Sequence, residues 1–171
     1  RLGRGITNAE LGSLYSMYAK VMNEMLERES SIVTIPGIGE LLSVLNKSGV
    51  LLGIQTGNIK STALTKLKYA GIDKYFSFGG YCMGTFDRID IVKDAVKTAL
   101  LNTSGKDNSK IFIIGDTPHD IRCAKEIGCI AVGVATGRFN YSQLLIEEPD
   151  YLYENFGNRE ELRSMLRKLT F

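Results

Sequence analysis

The run IFIIGDTPHDIRCAKEIG, residues 111–128, decides how this sequence is expected to fold. Its apolar start, Ile111 to Ile114, has the length of a buried strand, and Gly115 then opens a polar turn. Pro118 suits the first turn of a helix, so we predict a helix over 118–127. A strand that leads through a short turn into a helix is the repeating unit of a parallel sheet covered by helices.

The same alternation continues on both sides of this run. The predicted strands are residues 50–55, 75–78, 111–115, 130–134 and 151–153. The predicted helices are residues 38–48, 60–70, 88–101, 118–127, 140–147 and 158–168. Because the strands are short and apolar or aromatic, we expect helices on both faces of the sheet. The pattern predicts an α/β fold with a doubly wound, mostly parallel, Rossmann-like sheet.

The first 34 residues do not follow this alternation. Thr7-Asn8-Ala9-Glu10 has the capping-box pattern, and apolar residues follow it at helical spacing, which predicts an amphipathic helix over 8–27. Pro36-Gly37 then has turn chemistry. We therefore expect a domain boundary near residue 34, between a small helical unit and the α/β unit.

Composition excludes several classes of protein. Of 171 residues, 44% are hydrophobic, and 21 Lys and Arg against 19 Asp and Glu give a net charge of only +2, so neither a nucleic acid nor a membrane surface is expected as a partner. The longest apolar runs are far too short to span a bilayer. The three cysteines form no Cys-x-x-Cys pair, which favours a reducing cytoplasm. The sequence does not indicate an oligomeric state.

Residues suited to chemistry cluster directly after the predicted strands. Open parallel sheets bind ligands beyond the carboxyl ends of their strands. Thr56-Gly57-Asn58 follows the strand at 50–55, and Ala135-Thr136-Gly137 follows the strand at 130–134. The segment after 111–115 is acidic, so this edge of the sheet is where we look for a site.

Asp116 and Asp120 are four residues apart across that strand-to-helix turn, so both carboxylates can face one crevice. Hard oxygen ligands of this kind suit Mg²⁺, which takes one or two protein carboxylates and keeps several waters. The alternative is that one of these aspartates only caps the helix, which is a common role for Asp. The pair by itself does not decide between the two roles.

Thr56 offers a hydroxyl group, and the amides of Gly57 and Asn58 open the helix at 60–70, whose amino end attracts anions. The alternative is an ordinary capped turn with no ligand. Arg88 begins the helix that precedes the strand at 111–115, where a permanent cation could neutralise an anionic crevice. Lys93 is the rival for that position.

Four stretches of the sequence resemble one known family. They are PGIGELLSVLNKSGVLLGIQTGNIKSTALTKLKYAGIDKYF at 36–76, IFIIGDTPHDIRCAKEIG at 111–128, AVGVATG at 131–137 and DYLYENFGNREEL at 150–162. Together they are similar to the phosphoglycolate phosphatase-like branch of the haloacid dehalogenase-like (HAD) superfamily, over about residues 35–168. The combination of the Gly-Asp-Thr-Pro-x-Asp run with the Thr-Gly-Asn turn is specific, whereas either piece alone would be weak.

The resemblance implies a Mg²⁺-dependent phosphate monoester hydrolase that acts on a small phosphorylated metabolite through an aspartyl-phosphate intermediate. By position in the motifs, Thr56 would be catalytic and would bind the phosphoryl group together with Gly57 and Asn58. Arg88 would be the catalytic cation that orients the nucleophile and stabilises charge. The family's true dehalogenases need no metal, and the acidic pair after 111–115 argues against that branch.

The same resemblance assigns the two acidic residues to the metal. Asp116 matches the direct Mg²⁺ ligand. Asp120 matches the second acidic residue, which acts through water or by pairing with the cation. The implied metal residues are therefore Asp116 and Asp120, with Mg²⁺ as the cofactor.

One part of the family pattern is missing. The family opens with a strand that ends in an Asp-x-Asp pair, whose first Asp attacks phosphorus, and no Asp-x-Asp occurs in these 171 residues. We therefore expect the nucleophile to lie upstream of Arg1 in the natural protein. Residues 1–34 would then be the remnant of a helical cap, and residues 35–171 an α/β core that lacks its first strand.

Two other functions remain open at this point. The chain could be a catalytically silent HAD scaffold that binds a phosphate ligand or a protein partner, in which case the missing Asp-x-Asp pair is a real loss. A weaker alternative is a receiver-type signalling domain, which also uses an aspartyl phosphate but does not predict the Gly-Asp-Thr-Pro-x-Asp run. An Asp-x-Asp pair upstream in the natural gene would favour the enzyme.

Overall fold

The computed structural model describes residues 5–29, 32–82, 87–103 and 110–170. Within these ranges the helices are α1 Asn8–Glu29, α2 Ile38–Lys47, α3 Lys60–Tyr69, α4 Arg88–Asn102, α5 Pro118–Glu126, α6 Tyr141–Leu145 and α7 Arg159–Leu169, with one 3-10 turn at Asp73–Tyr75. The strands are β1 Gly53–Thr56, β2 Phe78–Tyr81, β3 Phe112–Gly115, β4 Ile130–Val134 and β5 Tyr151–Tyr153. The chain therefore alternates between strand and helix from β1 onward, as the sequence predicts.

Polar side chains at the helix starts explain several of these boundaries. Asn140 and Gln143 form a reciprocal capping box on α6. The Asn158 side chain accepts hydrogen bonds from two backbone amides in the first turn of α7. At α1, the Thr7 hydroxyl accepts from the amide of Glu10, and the Glu10 carboxylate accepts from the amide of Thr7, so the predicted capping box is present.

The strands form two parallel sheets. β1 pairs with β2, with Gly53 opposite Phe78. β3, β4 and β5 pair in that order, with Phe112 opposite Ile130 and Val132 opposite Tyr151. Within the described ranges, one edge of β1 and one edge of β3 have no paired strand.

Helices cover both faces of the larger sheet, because successive residues of β4 point to opposite sides. On one face, Val132 and Val134 pack with apolar side chains of α2 and α7, including Leu41 and Met165. On the other face, buried apolar residues of the sheet pack with α4, α5 and α6; this group includes Val92, Ile113, Ile121, Ala131 and Leu144. The predicted doubly wound α/β fold is confirmed.

The predicted strand at 75–78 is misplaced by about three residues. The structure has a 3-10 turn at Asp73–Tyr75, and the strand runs from Phe78 to Tyr81. Its centre is Gly79-Gly80, a pair that normally indicates a turn. Glycine is needed there because α4 packs directly on β2: a Cβ on Gly80 would collide with the carbonyl oxygen of Ile91.

Helix α1 packs against α3 and leaves an apolar stripe on its surface. The exposed apolar residues of this stripe are Leu14, Met17, Tyr18, Val21 and Met25. None of the helices in the described part of the chain combines the length and the apolar character needed to cross a bilayer.

Candidate active site

The carboxyl ends of β1 and β3 meet at one edge of the molecule. Gln55, the penultimate residue of β1, donates a hydrogen bond of 3.1 Å from Nε2 to Oδ1 of Asp120. Asp120 lies in the first turn of α5, directly after β3. The turn at Thr56 and the turn at Asp116, which are predicted separately from the sequence, therefore border the same place.

Asp120 is the most deeply buried of the predicted site residues, with 2% of its side chain exposed. Its Oδ1 accepts hydrogen bonds from Arg88 Nη2 at 2.7 Å and Arg88 Nε at 3.1 Å, in addition to the bond from Gln55. Its Oδ2 accepts from the Thr117 hydroxyl at 2.7 Å. Burial by itself would raise the pKa of Asp120, but the Arg88 charge and these hydrogen bonds outweigh it and lower the pKa below its usual value.

Two features of the turn place the Asp120 carboxylate. Thr117 is the N-cap of α5, and its hydroxyl accepts from the amide of Asp120 at 3.2 Å. Gly115 leaves the space for the side chain, because a Cβ there would collide with Asp120. The helix is thus capped by Thr117, and the interpretation of Asp116 or Asp120 as the cap of this helix is wrong.

Asp116 differs from Asp120 in burial and in hydrogen bonding. Its side chain is half-buried, and we find no hydrogen bond or ion pair to its carboxylate from the described residues. The carboxylate lies against the backbone of Gly137, the residue three positions after β4, where a Cβ would collide with Oδ2 of Asp116. Asp116 is therefore an available oxygen ligand held at the carboxyl end of β3.

These two carboxylates fit a Mg²⁺ ion unequally. Mg²⁺ needs only one or two protein carboxylates, because it keeps several waters and takes oxygen atoms from its substrate. Asp116 fits the part of a direct ligand. Asp120 accepts four hydrogen bonds and forms an ion pair with Arg88. It therefore fits the part of a buried carboxylate that holds Arg88 beside a metal bound by Asp116. Within the described ranges there is no cluster of three or more metal-binding side chains that could hold a metal without water.

The contact between Gly137 and Asp116 leads to the first expected result. In the Gly137→Ala variant the new methyl group must displace the Asp116 carboxylate, which is the end of a flexible side chain. If Asp116 binds Mg²⁺, we expect the Kd for Mg²⁺, measured by calorimetry, to rise about tenfold, the loss of roughly one good hydrogen bond or ligand contact. The melting temperature should stay within a few degrees, because Gly137 is exposed and has no positive φ. An unchanged Kd for Mg²⁺ would show that Asp116 does not hold the metal.

The structure brings Arg88 rather than Lys93 to the acidic turn. Arg88 is the first residue of α4, and Asp87 caps this helix by accepting from the amide of Ile89. The guanidinium group is 23% exposed and binds Asp120 through two nitrogens. Lys93 lies exposed further along the same helix.

The turn after β1 is held by its own side chains. The Thr56 hydroxyl accepts from the amide of Asn58 at 3.2 Å and from Asn58 Nδ2 at 2.9 Å. The Asn58 carboxamide oxygen accepts from Lys66 Nζ at 3.1 Å, and its backbone oxygen accepts from the amide of Cys82 at 3.1 Å. Ile59 is the N-cap of α3 and no side chain caps this helix. The Thr56 hydroxyl caps the turn itself through the Asn58 amide, so the alternative of an ordinary capped turn is compatible with these bonds.

Three residues of this region were not singled out from the sequence. Gln55 carried a usable signal, since a polar residue interrupts an otherwise apolar strand just before the turn. Thr117 also carried one, because Thr directly before Pro is a typical helix start. Lys66 carried none: it is one of three lysines on α3 and lies eight residues from its partner Asn58.

Comparison with known proteins identifies the family to which this chain belongs. A family model described as haloacid dehalogenase-like hydrolase matches residues 5–134, and the chain belongs to this family. A phosphoglycolate phosphatase from Salmonella typhi is 29% identical over 150 residues, which cover 85% of this chain and 56% of the relative. The pyrophosphatase PpaX of Bacillus velezensis is 29% identical over 157 residues, 90% of this chain and 69% of the relative.

A solved structure agrees with these relatives. A haloacid dehalogenase-like family hydrolase from Streptococcus pneumoniae superposes with a TM-score of 0.60 at 26% identity, over 76% of this chain and 59% of that protein. The chain thus spans between 56% and 69% of the length of these three proteins. The resemblance to phosphatases of the HAD superfamily noted from the sequence is confirmed.

Proposed function

We propose that the protein containing this chain is a Mg²⁺-dependent phosphate monoester hydrolase of the phosphoglycolate phosphatase-like type, which acts on a small phosphorylated metabolite in the cytoplasm. One observation carries the proposal: the hydrogen bond from Gln55 to Asp120 joins the Thr56 turn to the acidic turn at the carboxyl ends of two parallel strands. A hydroxyl donor, a partly buried cation and a carboxylate with no partner among the described residues thus border one crevice, which is the set that phosphoryl transfer requires.

Each predicted site residue has a defined part in this proposal. The Thr56 hydroxyl binds the phosphoryl oxygens together with the Gly57 amide, and Asn58, whose amide donates to the Thr56 hydroxyl, completes this phosphate-binding turn. Arg88 supplies a permanent positive charge, and Asp120 holds its guanidinium group in place. Asp116 holds the Mg²⁺, which when bound neutralises charge on the phosphoryl group. Positioning and charge neutralisation account for most of the catalysis of such reactions.

The nucleophile in this proposal is an aspartate that the 171 residues do not contain. Within the described ranges β1 and β3 each have an unpaired edge, which supports the idea that a further parallel strand inserts beside them and ends at the same crevice. An aspartate there would take the phosphoryl group, and water would then hydrolyse the acyl phosphate, which splits one hard step into two. Residues 1–34 belong to the helical cap in this arrangement, and residues 35–171 form the core.

A second candidate function is a catalytically silent scaffold that binds a phosphate ligand or a protein partner. The observation that favours it is the absence of any Asp-x-Asp pair from the sequence. The fold, the Thr56 turn and the Arg88–Asp120 pair serve binding as well as they serve catalysis. The two candidates therefore differ in turnover and not in their affinity for phosphate.

Turnover by the full-length protein tests the proposal. Phosphate release would be measured with an aryl phosphate, phosphoglycolate, sugar and nucleotide monophosphates, a phosphonate and pyrophosphate, with Mg²⁺ and with a chelator. We expect Mg²⁺-dependent release that is fastest for one small monoester. If the folded protein binds orthophosphate but releases none from any of these compounds, the scaffold function replaces the enzyme.

A further inference from the structure

Lys66 reaches back over two turns of α3 to the loop that follows β1. It is partly buried, and its Nζ lies 3.1 Å from the carboxamide oxygen of Asn58. The other two lysines of this helix, Lys60 and Lys68, are exposed. An ammonium group can only donate hydrogen bonds, so the atom that Asn58 turns toward Lys66 must be its oxygen. The Asn58 amino group is then forced to point the other way.

The group on that other side is the Thr56 hydroxyl. Its oxygen accepts from Nδ2 and from the amide of Asn58, at 2.9 Å and 3.2 Å. A threonine hydroxyl has two acceptor sites and one hydrogen to donate. Both acceptor sites are occupied by Asn58, and the described residues provide no acceptor for the hydrogen. Thr56 is thus left as a hydrogen-bond donor only.

We propose that Lys66 is a positioning residue that, through Asn58, fixes the Thr56 hydroxyl as a donor to the phosphoryl oxygens of the substrate. The inference rests on the proposed function of Thr56 as a phosphate ligand. Without Lys66 the Asn58 carboxamide can rotate by half a turn and present its oxygen to Thr56. Thr56 would then donate to Asn58, and its oxygen lone pairs would face the phosphate and repel it.

A double-mutant cycle on orthophosphate binding tests the chain of bonds from Lys66 to Thr56. The full-length protein with Mg²⁺ would be titrated with orthophosphate by calorimetry, as wild type, Lys66→Met, Asn58→Ala and the double variant. We expect each single variant to bind about tenfold more weakly, the usual effect of losing a hydrogen bond that involves a charged group. The double variant should bind no more weakly than Asn58→Ala, because Lys66 acts only through Asn58.

Two further variants separate this role from simple charge or packing. Lys68→Met removes an exposed lysine from the same helix and should leave binding within about twofold, as expected of surface charges. Lys66→Arg keeps a donor-only cation and should restore binding to within about threefold of wild type. Should Lys66→Met fail to fold, Lys66→Leu serves instead, since it also removes the donor to Asn58 and adds no charge beside the bound phosphate.

The outcomes distinguish this inference from the proposed function. If the two single effects add in the double variant, Lys66 acts by its charge and the positioning role is overturned. Unchanged binding in Lys66→Met, or in Lys66→Leu where that variant replaces it, overturns the role as well and leaves the proposed function standing. A wild-type protein that binds no orthophosphate overturns the positioning role, because Thr56 then has no phosphate to contact, and the proposed function is decided separately by turnover.

Discussion

The Asp116→Ala variant of the full-length protein is expected to lose Mg²⁺-dependent phosphate release by about a thousandfold or more. A bound Mg²⁺ contributes several kcal/mol of charge stabilisation in the transition state, and Asp116 is the free carboxylate that can hold it. The fold should survive, because the Asp116 side chain is half-buried and no described residue pairs with it. We expect its free energy of unfolding to change by less than about 1 kcal/mol.

The measurement is kcat/KM for the best substrate over a range of Mg²⁺ concentrations, beside a urea melt of each variant. Asp94→Asn is the matched control, since Asp94 is an exposed acidic residue on α4 and its side chain lies outside the site. Asp116→Asn keeps the size of the side chain and removes its charge, so it should resemble the alanine variant. Wild-type activity in Asp116→Ala at low Mg²⁺ would refute the assignment of the metal to this residue.

Most of the fold could be predicted from the sequence because strand and helix alternate with sharp boundaries. The strand at 130–134 and the helix starts at Lys60, Arg88 and Pro118 are placed to the residue. β2 was misplaced because its two glycines give no strand signal, and only the packing of α4 explains them. The pairing of strands into two separate parallel sheets could not be predicted from local pattern, since it depends on which edges meet.

The candidate site likewise contains residues that a local sequence pattern predicts and residues that only the folded structure brings together. Thr56, Asp116 and Asp120 could be chosen because a polar residue directly after an apolar strand lies at the binding edge of a parallel sheet. The contact of Gln55 with Asp120 joins positions 65 residues apart, and no local pattern encodes it. The role of Lys66 could not be predicted, because a long lysine side chain can reach many positions and its sequence neighbours do not show which one it takes.

Replacing Arg88 with methionine is expected to destabilise the fold by about 3 kcal/mol at neutral pH. Breaking a buried ion pair on one side leaves the other charge without compensation, and Asp120 is 2% exposed. Asp120 would keep its hydrogen bonds from Gln55 and Thr117, so the loss should lie at the lower end of the usual range. Urea unfolding at constant temperature measures the difference, and Lys93→Met, which removes an exposed cation from the same helix, is the control.

The pH dependence of this loss gives the sharper test. In the wild type the folded-state pKa of Asp120 is lowered, so its stabilisation is fully present above the unfolded pKa of about 3.9 and is lost as pH falls through the folded value. In Arg88→Met the Arg88 charge no longer opposes the burial of Asp120, and the pKa of Asp120 should rise above that of the unfolded chain. Above this raised pKa the ionised Asp120 carboxylate destabilises the fold of the variant. Protonation of Asp120 at lower pH removes that destabilisation.

The difference in unfolding free energy between wild type and Arg88→Met should therefore be largest at neutral pH and shrink on acidification toward pH ~4. Arg88→Met combined with Asp120→Asn removes both charges, and it should recover most of the lost stability at pH ~7 because no buried charge is left unpaired. A loss that stays constant with pH and is not relieved in the double variant would contradict this account. It would mean that the Arg88 side chain stabilises α4 through packing, and that its charge is not what keeps Asp120 ionised.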